Sequence, residues 1–230
     1  CIRDRSKGEA FPSANPHLAL MPYWREGRRL KGQVTVTERD LLPVADGALR
    51  ASLSGDSIAV GTYANDHHYP GEDWPLAPKS CRWGGRWTGT PFCIPYGALL
   101  SDSLCNLLAA EKCFSVSHMA NGATRLQPLI LNIGQAAGLA AALASQLETD
   151  PWDLRAEIVQ RELINDSVAP AAVVPLWDWP GWHPDWRDAQ MHALMHLDEV
   201  DWQGHLEQPG RNGLKPVSYT HLRAHETARH

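Results

Sequence analysis

Apolar residues fall into a few bounded runs separated by polar stretches bearing proline and glycine, and the longest of these regions lies between Phe92 and Leu147. It reads as a strand over Phe92 to Leu99, a short apolar strand over Leu107 to Cys113, a polar glycine-bearing loop over Ser115 to Gln127, and a long uncharged helix opening at Pro128. Proline is favoured at the first helical position. Gly134, Gly138, Ala141, Ala142 and Ser145 then recur at helical spacing, a stripe of small residues that lets the helix lie close to another surface. Upstream, Gln33 to Thr37 alternates as a strand, and Thr37-Glu38-Arg39-Asp40 opens a helical turn. Ser57 to Tyr63 reads as a further strand, with Gly61 relieving a close approach. Downstream, Asp150-Pro151 starts a helix over Trp152 to Asn165 whose core face is Leu154, Ile158, Leu163 and Ile164. A proline-broken aromatic segment and a short helix follow.

The uncharged helix admits several readings. With no acidic residue in its first turns, its start presents N–H groups and a positive dipole end to an electron-rich ligand atom. The pattern Gly134-x-x-x-Gly138 in a stretch free of charge from Leu126 to Leu147 is also that of a membrane dimer, while Asn132, Gln135, Ser145 and Gln146 make it a poor lipid span. A plain buried core helix is the remaining reading.

Composition narrows the classes. With 43% hydrophobic and 20% charged residues over 230 positions, the chain has the make-up of a globular protein able to bury one good core or two small ones. A net charge of −5 leaves no basic footprint for nucleic acid. Five cysteines without CxxC pairs point to reduced thiols rather than a disulfide framework or a zinc site.

The run NLLAAEKCFSVSHMANGATRLQPLILNIGQAAGLAAA closely resembles the C-terminal signature of FAD-dependent oxidoreductases related to the fumarate reductase and glutathione reductase flavoproteins. Glu111-Lys112 stands where the commoner wording has Gly-Arg. A second segment in family order, Arg25, Glu26, Arg28, Arg29, Gly32 and Asp40, resembles RES-RRI-x-G followed by an acid, and IPYGALL resembles the family's IPY-x-SL. The resemblance implies FAD as cofactor. It also implies an α/β fold: the C-terminal part of a Rossmann-like FAD/NAD(P)-binding flavoprotein, with part of a mixed-sheet substrate domain. By position, Asn106 to Cys113 would be the strand returning to the FAD domain, Ser117 to Leu126 the loop beside the isoalloxazine, and Gln127 to Ala142 the helix aimed at the flavin edge. Cofactor contacts then fall to Ser117, His118, Asn121, Gly122, Thr124, Arg125, Leu126, Gln127, Gly134 and Gly138. Gly122 lets backbone approach the ring, and Arg125 places positive charge near it or near a substrate anion.

Candidate chemistry outside that run is thinner. Arg25, Arg28 and Arg29 could clamp a substrate carboxylate, hold the FAD pyrophosphate or a domain joint through Glu26 and Asp40, or form a solvated charge run. Tyr63, Asp66 and His68 resemble the family's Y-x-x-D-x-H; a histidine held by a carboxylate exchanges protons near pH 7, against the alternative of a structural loop histidine. Catalytic candidates are therefore His68, Asp66 and Arg25. Tyr96 either faces the ligand or packs in the core. A metal site from His67, His68 and His118 lacks ligand spacing, and His192 with His196 lacks the acid of an HExxH helix. Trp177, Trp179, Trp182 and Trp186 read as aromatic packing, with carbohydrate stacking as the alternative.

The expected division is 1–91 as part of a substrate domain, 92–165 as the returning strand, flavin loop and helix, 166–215 as a tryptophan-rich extension, and 216–230 as adapter-derived sequence. No GxGxxG is found in the chain. The expectation is that the ADP-binding half lies upstream of Cys1 in a longer product, so that the partners are that missing part and a small-molecule substrate, anionic on one reading of the arginines. A cytoplasmic location is expected, with an export signal upstream as the alternative. Flavin-linked hydride transfer is the leading function; a non-catalytic partner-binding domain and, behind it, a histidine-based metal hydrolase are the alternatives.

Overall fold

The computed structural model describes residues 26–44, 51–63, 90–175 and 185–197. Two strands, β1 (Ser57–Gly61) and β2 (Phe92–Pro95), pair antiparallel in a two-stranded sheet. Four α-helices follow: α1 (His118–Thr124), α2 (Gln127–Gln146), α3 (Ala156–Asn165) and α4 (Trp186–Met195). Among the described residues a short 3₁₀ turn, Glu38–Leu41, precedes β1 and another, Tyr96–Ala98, follows β2.

The core forms where β1 meets β2, α2 and α3. Ile58, Phe92 and Ile94 from the sheet pack with Leu129, Ile133, Ala136, Ala137 and Ala140 of α2 and with Val159, Leu163 and Ile164 of α3. β1 is buried along nearly its whole length, as expected for a short strand covered on both faces. Gly61 sits directly opposite Phe92, and a Cβ there would lie 2.3 Å from that ring. The expected close approach is thus made by its own cross-strand partner.

Segment 26–44 crosses the molecule without becoming a strand. Its N–H groups go to different neighbours, Leu30 to Cys113 O (2.7 Å), Gln33 to Leu100 O (3.1 Å) and Val36 to Ser115 O (3.0 Å). Only isolated bridges result, Gly32 with Ser101 and Val36 with Val116. Alternation supplied the right faces, but a strand needs one continuous neighbouring ladder. The same reason corrects the expected strand over 107–113: Ala109 donates to Leu99 O (2.8 Å) and Leu108 bridges Leu100, and the chain then turns away. The helical turn after Thr37 is present, closed by a capping box in which the Thr37 N–H donates to Asp40 Oδ2 (2.7 Å).

Three other boundaries move. β2 stops at Pro95 rather than Leu99, since proline cannot donate to a ladder and Tyr96–Ala98 tightens into a 3₁₀ turn. The third helix starts at Ala156 rather than Trp152, which instead donates its indole N–H to Ser101 O (2.8 Å). The segment 115–127, expected as a loop, contains α1. Ser117 caps that helix, its hydroxyl accepting from the Ala120 N–H (3.1 Å).

α2 begins as expected, with Leu126 as N-cap and Pro128 in the first turn. By length and composition it could cross a membrane; it packs its buried side on β1 and α3. Its small-residue stripe faces a neighbour only at Gly134, where a Cβ would meet the Ala110 carbonyl at 3.3 Å. Gly138 faces open space, and Ala141, Ala142 and Ser145 are exposed.

Residues beyond α3 are part of the core. Ala171, Val173 and Val174 are buried, and Gln190 of α4 clamps them, its side chain accepting from the Val173 and Val174 N–H groups (3.0 and 2.9 Å) and donating to Val174 O (2.8 Å). Ser57 donates to Val173 O (2.5 Å) from β1. Trp186 packs half-buried against this cluster, whereas Trp177, Trp179 and Trp182 lie outside the described residues.

Tyr96 resolves to packing. It is 3% exposed and donates its hydroxyl to Pro151 O (3.0 Å). Burial disfavours the phenolate and pushes its pKa up to about 12 from 10.0. The folded state therefore keeps a proton that the unfolded chain releases. That contribution to stability is complete below pH 10 and is lost as pH rises from about 10 toward about 12. Tyr96→Phe should remove this alkaline slope, measured as urea midpoints at pH 9 to 11, and should lower stability at neutral pH by about 1 kcal/mol through the stranded carbonyl.

Candidate functional site

The junction between α1 and α2 gathers most of the expected cofactor contacts. Successive positions on α1 place His118, Asn121, Gly122 and Arg125 along one side, because spacings of three and four share a helix face. Asn121, Gly122, Thr124 and Arg125 are all buried. Ser117, at the mouth of α1, also donates its hydroxyl to Glu38 Oε2 (3.4 Å). Leu126 is half-buried as the N-cap of α2, and Gln127 is exposed in its first turn. Gly134 is half-buried and Gly138 exposed, further along α2.

Two polar atoms in this junction are conspicuous. The Asn121 side-chain amide nitrogen and the Thr124 hydroxyl are buried with no hydrogen-bond partner among the described residues. Leaving such a group unmet costs about 1 to 3 kcal/mol. Immediately after them, α2 opens with no side-chain cap bond and no acid in its first turn. Its positive dipole end is therefore not offset by a carboxylate of its own.

The arginine segment comes to the same place. Glu26 accepts from His118 Nδ1 at 2.8 Å, lies 3.7 Å from the Arg125 guanidinium and pairs with Arg29 at 3.5 Å. Arg125's side chain is only 7% exposed, so this charge is set into the protein rather than in solvent. On one reading the arginines hold the FAD pyrophosphate or a domain joint through Glu26 and Asp40; the reach of Glu26 to α1 across more than ninety positions leaves no trace in the sequence. The available signals were an acid lodged within an arginine run and that run's resemblance to the family segment. Arg28 is exposed, as a solvated charge would be.

Arg25, Asp66 and His68, the expected catalytic set, lie outside the described residues, as does His67. His192 and His196 stack with ring centroids 4.4 Å apart on and just after α4. Among the described residues no group of three His, Cys, Asp or Glu is placed to hold a metal ion. Cys105 and Cys113 are exposed thiols outside any disulfide.

Comparison with curated proteins and with solved structures finds no match. The family model for FAD dependent oxidoreductase matches residues 6–163, which includes the arginine segment, both strands, the α1–α2 junction and most of α3. A match over more than half of its length shows that the chain belongs to the FAD dependent oxidoreductase family, whose cofactor is FAD and whose members are flavin oxidoreductases of an FAD-binding α/β fold.

Proposed function

We propose that this chain supplies the flavin-facing part of an enzyme that transfers hydride between an organic small molecule and FAD, with α1 and the start of α2 against the isoalloxazine ring. The observation that carries this reading is the pair of buried polar atoms on α1 without partners among the described residues, the Asn121 amide and the Thr124 hydroxyl. Buried polar groups in native proteins are nearly always met by a partner, and a bound ligand is one such partner. A flavin ring fits, since its edge alternates hydrogen-bond acceptors with a donor. Bound FAD would supply the two-electron chemistry.

The chain's own residues do the rest. Gly122 keeps backbone close to the ring without a Cβ in the way. The uncapped start of α2 and the buried Arg125 bring positive character to the side where negative charge grows. Ser117 and His118 line the approach, Leu126 and Gln127 shape the helix start, and Gly134 and Gly138 belong to the same helix. Proton handling by His68 with Asp66, and substrate binding by Arg25, rest on the sequence motifs alone. Those arginines favour an anionic substrate. The absence of GxGxxG from the sequence leaves the ADP half to another part of the enzyme.

Thr124→Val tests this directly, because the two consequences have opposite signs. Replacing a buried hydroxyl that lacks a partner by a methyl of the same shape should stabilise the flavin-free protein by about 1 kcal/mol. The same change should weaken flavin binding severalfold, read as quenching of riboflavin or FAD fluorescence. A variant that loses stability while binding flavin normally would assign Thr124 to the core.

A further inference from the structure

Glu26 has no part in the reading above, yet it is where the site's charges meet. One carboxylate receives His118 Nδ1 on Oε2 at 2.8 Å, faces Arg125 with Oε1 at 3.7 Å, and holds Arg29 at 3.5 Å. His118 stands at the first turn of α1 and Arg125 just past its end. A single side chain from the arginine segment therefore grips both ends of the helix that carries Asn121 and Thr124.

That grip has two chemical consequences. A carboxylate at Nδ1 favours the imidazole form carrying its proton there, which fixes the ring plane and makes Nε2 the basic atom. The guanidinium, drawn to the same carboxylate, is held in one place instead of sampling its rotamers. The backbone supports the arrangement. Leu30 and Val36, just downstream of Glu26, are bonded to Cys113 O and Ser115 O, and Ser117 N–H returns to Val36 O at 2.8 Å. The two segments are thus tied to each other on the approach to α1 as well as at its side chains.

We propose that Glu26 is a positioning residue: it fixes the His118 tautomer and the place of Arg125, and so couples the arginine segment to the flavin-facing side of α1. This inference rests on the reading that α1 and α2 face the flavin. Glu26 acts through the two side chains it holds and touches neither cofactor nor substrate.

The test uses the full chain with FAD as probe and two variants, Glu26→Ala and the volume-conserving Glu26→Gln, each checked by circular dichroism for an unchanged fold. Nitrogen-15 imidazole spectra, with His118→Gln identifying the resonance, should show the Nδ1-protonated form in the parent and its replacement by the Nε2-protonated form in Glu26→Ala. FAD should bind about tenfold more weakly to Glu26→Ala, as expected for loss of a charge-assisted contact that orders a ligand group. Since Glu26 acts through Arg125 and His118, adding Glu26→Ala to the Arg125→Met, His118→Gln protein should weaken binding no further. Glu26→Gln, which keeps an acceptor for His118 but not the charge, should retain the Nδ1-protonated signal while losing FAD affinity. Unchanged spectra and affinity in Glu26→Ala would overturn the inference and leave the flavin reading standing, as would a further loss on adding Glu26→Ala to the protein lacking both Arg125 and His118. A parent chain that shows the expected tautomer but ignores both FAD and riboflavin, which has no ADP half, would overturn the flavin reading, and with it the role assigned to Glu26.

Discussion

Gly61→Val should unfold the protein well below the parent's melting temperature. The Cβ of any residue at this position would lie 2.3 and 2.5 Å from the Phe92 ring and 3.0 Å from Leu129 Cδ2. Phe92 is fully buried between β1 and α2, so its ring has nowhere to retreat. Replacing glycine in a strand normally gains about 0.5 to 1 kcal/mol of backbone entropy. Overpacking costs about 1 to 3 kcal/mol for a single extra carbon, and the two further methyls of valine raise that. The clash therefore wins over the entropy gain. For a domain of this size the loss corresponds to roughly 5 to 10 °C in melting temperature. Thermal unfolding followed by circular dichroism checks it, with Gly61→Ala expected to fall between parent and valine. A Gly61→Ala protein as stable as the parent would show that the β1–β2–α2 packing leaves room beside the Phe92 ring.

Arg125→Met is expected to abolish most flavin affinity while leaving a folded protein. The methionine fills much of the space of the arginine stem, so the packing loss is small. The charge loss is not: Arg125 is buried at the α1–α2 junction, and its removal takes one cation from Glu26 and positive character from the start of α2. Removing one member of such a pair costs about 1.5 to 3 kcal/mol, which moves melting by several degrees. A comparable term lost from ligand binding is a factor of ten to a hundred in Kd, about 1.4 kcal/mol per factor of ten. Arg125→Lys should recover little of it, because an ammonium cannot reproduce the planar fork. Flavin fluorescence titrations on the three proteins measure this. Normal affinity in Arg125→Met would place the residue in the fold alone.

Features set by neighbours in the chain were legible from sequence. The helix start, the turn after Thr37 and the strand carrying Gly61 each depend on a few adjacent residues; the helix opens at Gln127, one residue before Pro128, and the strand ends at Gly61 rather than Tyr63. Strands at 33–37 and 107–113 were misread because alternation records which side faces inward but not whether one neighbour runs alongside. α1 was hidden by Asn121 and Gly122, residues that favour turns; its capping serine at 117 was the signal that outweighed them. For the candidate site, the resemblance named the stretch from Ser117 to Gly138, and burial then separates Asn121, Thr124 and Arg125 from the exposed Gln127 and Gly138. Glu26 was legible as part of an arginine run that resembles the family's, but not as a partner of α1. Its pairing with His118 spans two distant segments, and no local pattern encodes such a contact.

The measurement that bears most directly on the central claim is a titration of the purified full chain with FAD and with riboflavin, followed by flavin absorbance and fluorescence. If the α1–α2 junction holds the isoalloxazine ring, both ligands bind one saturable site with shifted spectra, compete with each other, and are displaced together by Arg125→Met. A folded chain that leaves both spectra unchanged at every concentration would contradict the assignment of the flavin ring to this junction.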